Sequence, residues 1–279
     1  MLNKNKLINI FKTASICRNF EKITFKKIQD KIIKFPVYLS AGQEFIASSL
    51  SQMTSELKVK PMIFAQHRCH STYLAFGGNM TKLINELQGK KNGATFGIGG
   101  SASLHSKEIN MFGHDGHMGT QGPIGVGSCF VTKKPTIVFL GDASAEEDYV
   151  LAALGWASTK KLPILFIVED NNLSILTKKK VRRNWEMSEV AKSFKMNGHQ
   201  LDDDPKNIYK FKERLFKKPM LLNINTHRLF WHAGAGQDSV NTFDRYKIIK
   251  KKLGILGNRI DQENYIRINK LWKKHSEKQ

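Results

Sequence analysis

Two short polar segments follow successive apolar runs and contain residue types that bind magnesium. Residues 141–144 read GDAS after one apolar run, and residues 169–172 read EDNN at the end of the next. Mg²⁺ prefers oxygen ligands, such as the carboxylate of Asp142 and the amide of Asn171, and it often keeps phosphate oxygens of a ligand in its shell. The free N–H groups of a helix that begins near Ser144 would attract the same anion. The sequence therefore predicts a magnesium and diphosphate site.

Three more loops with polar side chains are predicted at the same edge of the sheet. In an open parallel sheet, ligands bind at the carboxyl ends of the strands. Arg68 and His232 could supply positive charge and hydrogen bonds to an anion. A helix cap at Asp142 or an asparagine turn would explain either polar pair alone, but the combination favours a ligand site. These loops are HRCH (67–70), the glycine-rich stretch 93–127 and THRLFWHAGAG (226–236).

The segments that must position these loops alternate between buried strands and helices. The runs 136–140 and 162–169 are continuously apolar, which is typical of strands that are buried on both faces. Residues 145–160, between them, have apolar side chains at helical spacing. A further unit follows, with a helix near 205–216 and a strand at 219–228. This alternation predicts parallel strands that are joined by helical crossovers.

The whole chain is therefore expected to adopt an α/β fold with a doubly wound, mainly parallel sheet in three layers. We find no internal repeat or linker, so we expect one domain over residues 1–279. Residues 1–34 are interpreted as a basic helical extension and residues 243–279 as a basic helical tail. The stretch 93–127 contains about half of the 21 glycines and is predicted to be a loop system.

The composition limits the classes of function that need to be considered. The net charge is +21, from 45 Lys and Arg against 24 Asp and Glu, which could indicate an acidic partner such as nucleic acid or a membrane surface. The basic residues are spread over the chain without interleaved aromatic residues or zinc-ligand spacing, so nucleic-acid binding is not favoured. Three scattered cysteines fit a reducing compartment, and no apolar run approaches the roughly 18 residues that span a bilayer. We expect a soluble, cytoplasmic protein.

Taken in order, these motifs resemble a family of thiamine-diphosphate enzymes. Asn171 follows Asp142 by 29 positions, which is similar to the GD and NN spacing of those enzymes. Over roughly residues 35–240 the chain resembles the alpha subunit of the 2-oxo acid dehydrogenase first component, of the pyruvate, branched-chain and acetoin type. The other motifs that carry the resemblance are SAGQEFIASSL (40–50), HRCH (67–70), GIGGSASLH (97–105), GHMGTQGPIGVG (116–127), LPILFIVEDNN (162–172) and RLFWH (228–232).

The resemblance implies thiamine diphosphate and Mg²⁺ as cofactors, and it implies a role for each matching residue. His232 would also be the catalytic residue, because it would steady the anionic intermediate near the reacting carbon. The implied metal ligands are Asp142, Asn171 and the Leu173 carbonyl. The implied cofactor-binding residues are His67, Arg68, Gly116, Met118, Asp142, Ala143, Ser144, Asn171 and His232.

Several positions depart from the family pattern and concern the substrate more than the cofactor. Ala143 replaces a glycine, Tyr38 stands where the family has a substrate-side histidine, and Ser103 stands where the family has a histidine in the GGS loop, with His105 two positions later. The segment TKKKVRR at 177–183 is short and basic. The acidic residues at 146–148 are interpreted as first-turn residues that complement a helix dipole rather than as metal ligands.

One expected residue is missing, which makes this chain half of an enzyme. In the family, the glutamate that activates the cofactor comes from a beta subunit, and Glu44 belongs to a different element. The resemblance therefore implies a beta-chain partner, in an alpha2–beta2 tetramer. The expected reaction is decarboxylation of a 2-oxo acid and transfer of the acyl group to a lipoyl acyltransferase or another acceptor. The alternatives are a transketolase-like half-enzyme that transfers ketol units, and a non-enzymatic basic binding protein on a decayed cofactor fold.

Overall fold

The computed structural model describes residues 2–234 and 243–276, and its centre is a six-stranded parallel sheet. The strands lie side by side in the order β2-β1-β3-β4-β8-β7. A separate antiparallel pair, β5 and β6, follows β4. The strands are β1 (Met62–Phe64), β2 (Met111–Phe112), β3 (Thr136–Gly141), β4 (Ile164–Asp170), β5 (Leu173–Ser174), β6 (Thr177–Lys178), β7 (Asn197–Asp202) and β8 (Met220–Asn225).

Helices cover both faces of this sheet. The α10 helix is interrupted at Gly254, where the backbone is not helical. No helix of the described residues is both long and apolar enough to cross a membrane. The helices are α1 (Lys4–Gln29), α2 (Glu44–Glu56), α3 (His70–Ala75), α4 (Met80–Glu86), α5 (Gln121–Thr132), α6 (Asp148–Thr159), α7 (Lys179–Arg182), α8 (Met187–Ser193), α9 (Pro205–Tyr209) and α10 (Arg245–Ser276).

The two central strands confirm the predicted α/β fold class. They run parallel and in register, with Ile137 opposite Leu165. Successive side chains of a strand point to opposite faces. Accordingly, Ile137 and Phe139 pack into the core on the side of α1 and α10, whereas Val138 and Leu140 pack into the core on the side of α5 and α6. Because both faces are covered, the strands need apolar residues at every position, and the fold has the predicted three layers.

The two terminal segments are helical, as predicted, but they belong to the core rather than extending from it. Phe11 and Phe20 of α1 and Trp272 of α10 are fully buried. Phe11 also stacks on Tyr246 of α10, with the ring centroids 5.1 Å apart. The segments are basic in overall composition, but each helix has a stripe of apolar side chains that packs against the core. Residues 235–236 of the predicted last loop and 277–279 of the predicted tail lie outside the described residues.

The prediction of loop structure throughout the glycine-rich stretch was wrong for its last part. Residues 121–127 form the first turns of α5, and Pro123 is tolerated there because the first helical turn lacks N–H partners. Glycine at position 125 lets the helix approach the sheet closely. A Cβ atom added at Gly125 would lie 2.6 Å from Val138 Cγ2 and 3.2 Å from the ring of Phe64. Composition alone therefore mistook a close-packed helix for a loop.

The earlier part of the stretch is an ordered loop that a single carboxylate holds in place. Glu86, at the end of α4, is fully buried. Its Oε2 atom accepts hydrogen bonds from the N–H groups of Thr95 (2.7 Å) and Gly97 (2.9 Å), and its Oε1 atom accepts one from Gly100 (2.9 Å). Hydrogen bonds to an ionised acceptor are stronger than neutral ones, so Glu86 fixes the loop against the body of the protein.

Candidate active site

A cavity of about 400 Å³ lies at the carboxyl ends of β1, β3 and β4. This is the edge at which an open parallel sheet binds ligands. All ten residues to which the sequence assigned a role line it, although their roles as ligands stay predictions. They are His67, Arg68, Gly116, Met118, Asp142, Ala143, Ser144, Asn171, Leu173 and His232.

Asp142 marks one end of the cavity and is already paired with an arginine. Arg182 donates a hydrogen bond from Nη2 to Asp142 Oδ2 over 2.6 Å. Arg183 donates from Nη1 to the backbone oxygen of Asp142 over 3.0 Å. Burial raises the pKa of the Asp142 carboxyl to about 6, although the hydrogen bond from Arg182 acts in the opposite direction. The basic segment 177–183 therefore closes over the predicted metal-binding carboxylate.

Glu146 takes part in the same ionic cluster, contrary to its interpretation as a helix-dipole residue. Residues 144–146 form a short 3₁₀ turn, and α6 begins only at Asp148. Glu146 Oε1 lies 3.1 Å from Arg182 Nη2 and 3.0 Å from Arg183 Nη1. Arginines 36 and 37 positions away in sequence, rather than the helix terminus, therefore determine the environment of this carboxylate.

The next loop supplies an amide and a backbone carbonyl to the same end of the cavity. Asn171 Oδ1 accepts a hydrogen bond from the N–H of Leu173 over 3.2 Å, which makes the predicted asparagine turn. Asn171 and Leu173 also line the cavity, so the turn and the ligand site are compatible. Asp142, Asn171 and the Leu173 carbonyl form a set of oxygen donors that suits Mg²⁺ when a bound phosphate completes its shell. Among residues 2–234 and 243–276, no group of three or more His, Cys, Asp or Glu could hold a metal ion.

Ala143 and Ser144 form the turn between Asp142 and α6. Ala143 has a φ of −75°, which any residue adopts, so the glycine expected from the family is not required there. Ser144 Oγ accepts a hydrogen bond from the N–H of Gly141 over 2.9 Å and donates one to its carbonyl oxygen over 3.1 Å. The serine side chain therefore stabilises the turn.

Two arginines and a histidine form a second, cationic part of the cavity wall. Arg68 donates from Nη1 to the Leu39 carbonyl over 2.8 Å and from Nη2 to the His232 carbonyl over 3.2 Å. Arg228 donates from Nη2 to the Ile175 carbonyl over 2.8 Å. The Nδ1 atom of His232 lies 3.5 Å from an Nη atom of each arginine. The structure thus brings the predicted pair Arg68 and His232 together, and it adds Arg228.

A cluster of aromatic rings continues this wall. The ring centroid of His67 lies 5.0 Å from that of Tyr38, 5.7 Å from that of His232 and 6.0 Å from that of His114. Burial, together with the nearby charge of Arg68, lowers the pKa of His67 well below its usual value. The sequence did not identify His114 as a site residue. Its position in GHDG, two residues before the glycine that the resemblance placed along the cofactor, was the available signal.

A buried carboxyl group lies beneath the cavity and was also missed. Glu169, the residue before Asp170 at the end of β4, accepts a hydrogen bond from the amide of Gln66, which lines the cavity. Burial raises the pKa of Glu169 to about 7. Glu169 is the last residue of the predicted buried strand 162–169, but the sequence motifs assigned it no role.

Comparison with known proteins adds a family to this geometry. A sequence profile described as "Dehydrogenase E1 component" matches residues 12–272. The chain is 27% identical over 239 residues to the Oryza sativa subsp. japonica pyruvate dehydrogenase E1 component subunit alpha-1, mitochondrial, which covers 82% of this chain but only 60% of that protein. It is 28% identical over 247 residues to the Rickettsia conorii pyruvate dehydrogenase E1 component subunit alpha, covering 82% of this chain and 74% of that protein.

Solved structures support the fold. Transketolase from Campylobacter jejuni superposes with a TM-score of 0.61 and 16% identity, covering 99% of this chain and 48% of that chain. At such low identity the similarity shows a shared fold and nothing about the reaction.

Proposed function

Because the chain belongs to the dehydrogenase E1 component family, we propose that it is the alpha subunit of a thiamine-diphosphate-dependent 2-oxo acid dehydrogenase. One observation carries this proposal: the ten residues that the family resemblance selects line a single cavity at the carboxyl edge of the sheet. The relatives support the same assignment, since those reported above are named as pyruvate dehydrogenase E1 alpha subunits. The expectation of a cytoplasmic protein stays a prediction.

In this proposal, the two ends of the cavity divide the work of binding the cofactor. Asp142, Asn171 and the Leu173 carbonyl would hold Mg²⁺, which neutralises a diphosphate group. Arg68 and His232 would donate hydrogen bonds to that diphosphate. The lining residues Gly116 and Met118 would lie along the aminopyrimidine, beside the histidine cluster. Thiamine diphosphate, when bound, supplies the carbanion chemistry, and the protein supplies binding and orientation.

The proposed enzyme needs a second chain to complete the site. Among the described residues that line the cavity there is no glutamate that could activate the cofactor. Glu44 is buried in the core, where it pairs with Arg18 and accepts a hydrogen bond from the N–H of Gly42. A beta subunit would supply the missing glutamate in an alpha2–beta2 assembly, and a lipoyl acyltransferase would take the acyl group.

A direct test combines cofactor binding with turnover. The chain, purified with its partner subunit, should bind thiamine diphosphate and Mg²⁺ in a calorimetric titration. It should also decarboxylate pyruvate or a branched-chain 2-oxo acid. Asp142→Ala should abolish binding because it removes the carboxylate ligand. Asp148→Ala is a matched control, because Asp148 is an exposed carboxylate at the start of α6.

The outcomes separate the proposed function from its alternatives. Turnover of ketose phosphates but of no 2-oxo acid would identify a transketolase-like half-enzyme instead. No cofactor binding by the wild-type complex, combined with salt-sensitive binding to polyanions, would identify the non-enzymatic binding protein. Equal cofactor binding by the wild type and Asp142→Ala would refute the assigned metal site.

A further inference from the structure

We propose that His114 positions the substrate by donating a hydrogen bond from Nε2–H to a carboxylate oxygen of the 2-oxo acid. This inference rests on the proposed function and assigns a substrate contact to a residue that the sequence motifs did not select. His114 lines the cavity and is 6% exposed.

The tautomer of His114 follows from a backbone contact. The N–H of Gly116 donates a hydrogen bond to Nδ1 of His114 over 3.1 Å. An imidazole nitrogen that accepts a hydrogen bond carries no proton, so the proton of the neutral ring lies on Nε2. Burial lowers the pKa of His114, which favours this neutral form. The ring therefore presents a donor, rather than a positive charge, through its second nitrogen.

Among the described residues, that donor has no partner. Nε2 of His114 is buried and makes no hydrogen bond to any of the described residues. A buried polar group without a partner destabilises a protein, and in a cavity a ligand commonly provides the missing contact. Both ring nitrogens of the neighbouring His67 are likewise buried and unpartnered. Two adjacent imidazoles thus line the cavity with hydrogen-bonding capacity that no other described residue uses.

The surroundings of the two histidines favour an anionic ligand. The positive charges of Arg68 and Arg228 help to lower the pKa of His67, and both arginines line the same cavity. The carboxylate end, by contrast, is the part of the cavity where Asp142 pairs with Arg182. Because Arg68 is assigned to the diphosphate, Arg228 would attract a small carboxylate, and the imidazole donors would orient it.

The position of the cluster favours the substrate over the diphosphate. Gly116, the partner of His114, is expected along the aminopyrimidine rather than the phosphates. Tyr38 and Ser103, which stand where the family has histidines, line the same cavity. The ring of Tyr38 also meets that of His67 edge to face. We infer that His67 and His114 provide imidazole groups to a wall on which those two positions provide none.

Two substitutions of His114 separate its two nitrogens. His114→Asn places an amide oxygen near Nδ1, so it can keep the contact with Gly116 while it removes the donor at Nε2. His114→Gln places an amide N–H near Nε2 and so can keep the donor. In the reconstituted enzyme with pyruvate, we expect KM to rise about 10- to 100-fold for His114→Asn, as for the loss of a hydrogen bond to a charged group. For His114→Gln we expect a KM within about threefold of the wild-type value.

The dissociation constant for thiamine diphosphate and Mg²⁺, measured by calorimetry, should stay the same in both variants. A wild-type KM in His114→Asn would overturn the proposal, and so would an equal loss in the two variants, since that would indicate a packing role. Weaker cofactor binding by His114→Asn would assign the donor to the cofactor and also overturn it. If the wild-type enzyme turns over no 2-oxo acid, the proposed function fails separately. In that case, calorimetric titration of the cofactor-loaded complex with pyruvate tests the His114 contact. The contact is refuted if the wild type does not bind pyruvate, or if His114→Asn binds it as tightly as the wild type.

Discussion

Replacing Arg182 with alanine should make the protein bind divalent cations more tightly. Arg182 places its guanidinium group on the carboxylate that the proposed metal site needs, with Nη2 2.6 Å from Asp142 Oδ2. Its other nitrogens donate to Glu146 and to the Thr177 carbonyl. A metal ion that binds Asp142 must therefore displace this guanidinium group, and the free energy of the Asp142–Arg182 pair is subtracted from that of metal binding.

The geometry gives the size of the effect. The Arg182 and Asp142 side chains are only 14% and 2% exposed, so solvent screens the pair weakly. Two unit charges at 2.6 Å attract with about 6 kcal/mol at an effective dielectric constant of about 20. Most of this attraction is offset by the cost of desolvation, and a hydrogen bond between charged groups contributes about 1.5–3 kcal/mol net. That range corresponds to magnesium binding that is about 10- to 150-fold tighter in Arg182→Ala.

The assay is a calorimetric titration with MgCl₂ at pH 8, without cofactor. At that pH the Asp142 carboxyl, with its pKa of about 6, is ionised in the wild-type protein. Lys180→Ala is the matched control, because it removes one exposed positive charge from the same short helix. We expect its affinity for Mg²⁺ to change less than about twofold, since long-range charge effects are screened by salt. If Arg182→Ala binds Mg²⁺ no more tightly than Lys180→Ala, Arg182 does not compete with the metal ion.

Two further substitutions test the packing and the buried charge. Gly125→Ala should destabilise the protein by about 1–3 kcal/mol in urea denaturation because its Cβ would overlap Val138. Gly127→Ala, in an open position of the same helix, should be neutral or stabilising by up to about 1 kcal/mol. Equal effects of the two substitutions would contradict the close packing of α5. Glu169→Gln should gain stability relative to the wild type as the pH rises from 5 to 8. The folded-state pKa of about 7 exceeds the ordinary value of 4.5, so ionisation of Glu169 destabilises the wild-type fold over this window by up to about 3 kcal/mol. If the stability difference between Glu169→Gln and the wild type does not change with pH, the pKa of Glu169 is the same in the folded and the unfolded chain.

The sequence predicted those parts of the fold that have a local cause. Strands β3 and β4 are buried on both faces, so every residue must be apolar, and the predicted runs 136–140 and 162–169 differ from the observed bounds by at most two residues. The clustering of the predicted site residues in one cavity was predictable for a related reason. The loops that leave neighbouring parallel strands at their carboxyl ends must lie side by side, whatever the rest of the chain does.

The features that escaped prediction depend on contacts between distant parts of the chain. Arg182 reaches Asp142 across 40 positions, and nothing in the basic segment 177–183 indicates which carboxylate it meets. Glu86 binds the loop at residues 95–100, and no motif in the sequence marks this contact. The α5 helix was missed because glycine has two uses, in flexible loops and at close contacts, that composition does not distinguish.

The two ends of the cavity are supported by different kinds of structure. The Arg68 loop is anchored in the core: the adjacent His70 is fully buried and bonds through Nδ1 to Glu21 of α1 (3.1 Å) and through Nε2 to Ser101 (2.9 Å). Glu21 also accepts hydrogen bonds from the N–H and hydroxyl of Ser40. The terminal helix α1 thus holds the part of the cavity around Arg68 in place.

The carboxylate end has less support, because the segment 177–183 is largely exposed and reaches Asp142 through one ion pair from Arg182 and one hydrogen bond from Arg183 to the backbone oxygen. Breaking the Arg182–Asp142 pair costs about 1.5–3 kcal/mol, whereas a buried network cannot rearrange without unfolding part of the core. The part of the cavity around Arg68 should therefore form when the protein folds. The carboxylate end should rearrange when the cofactor binds.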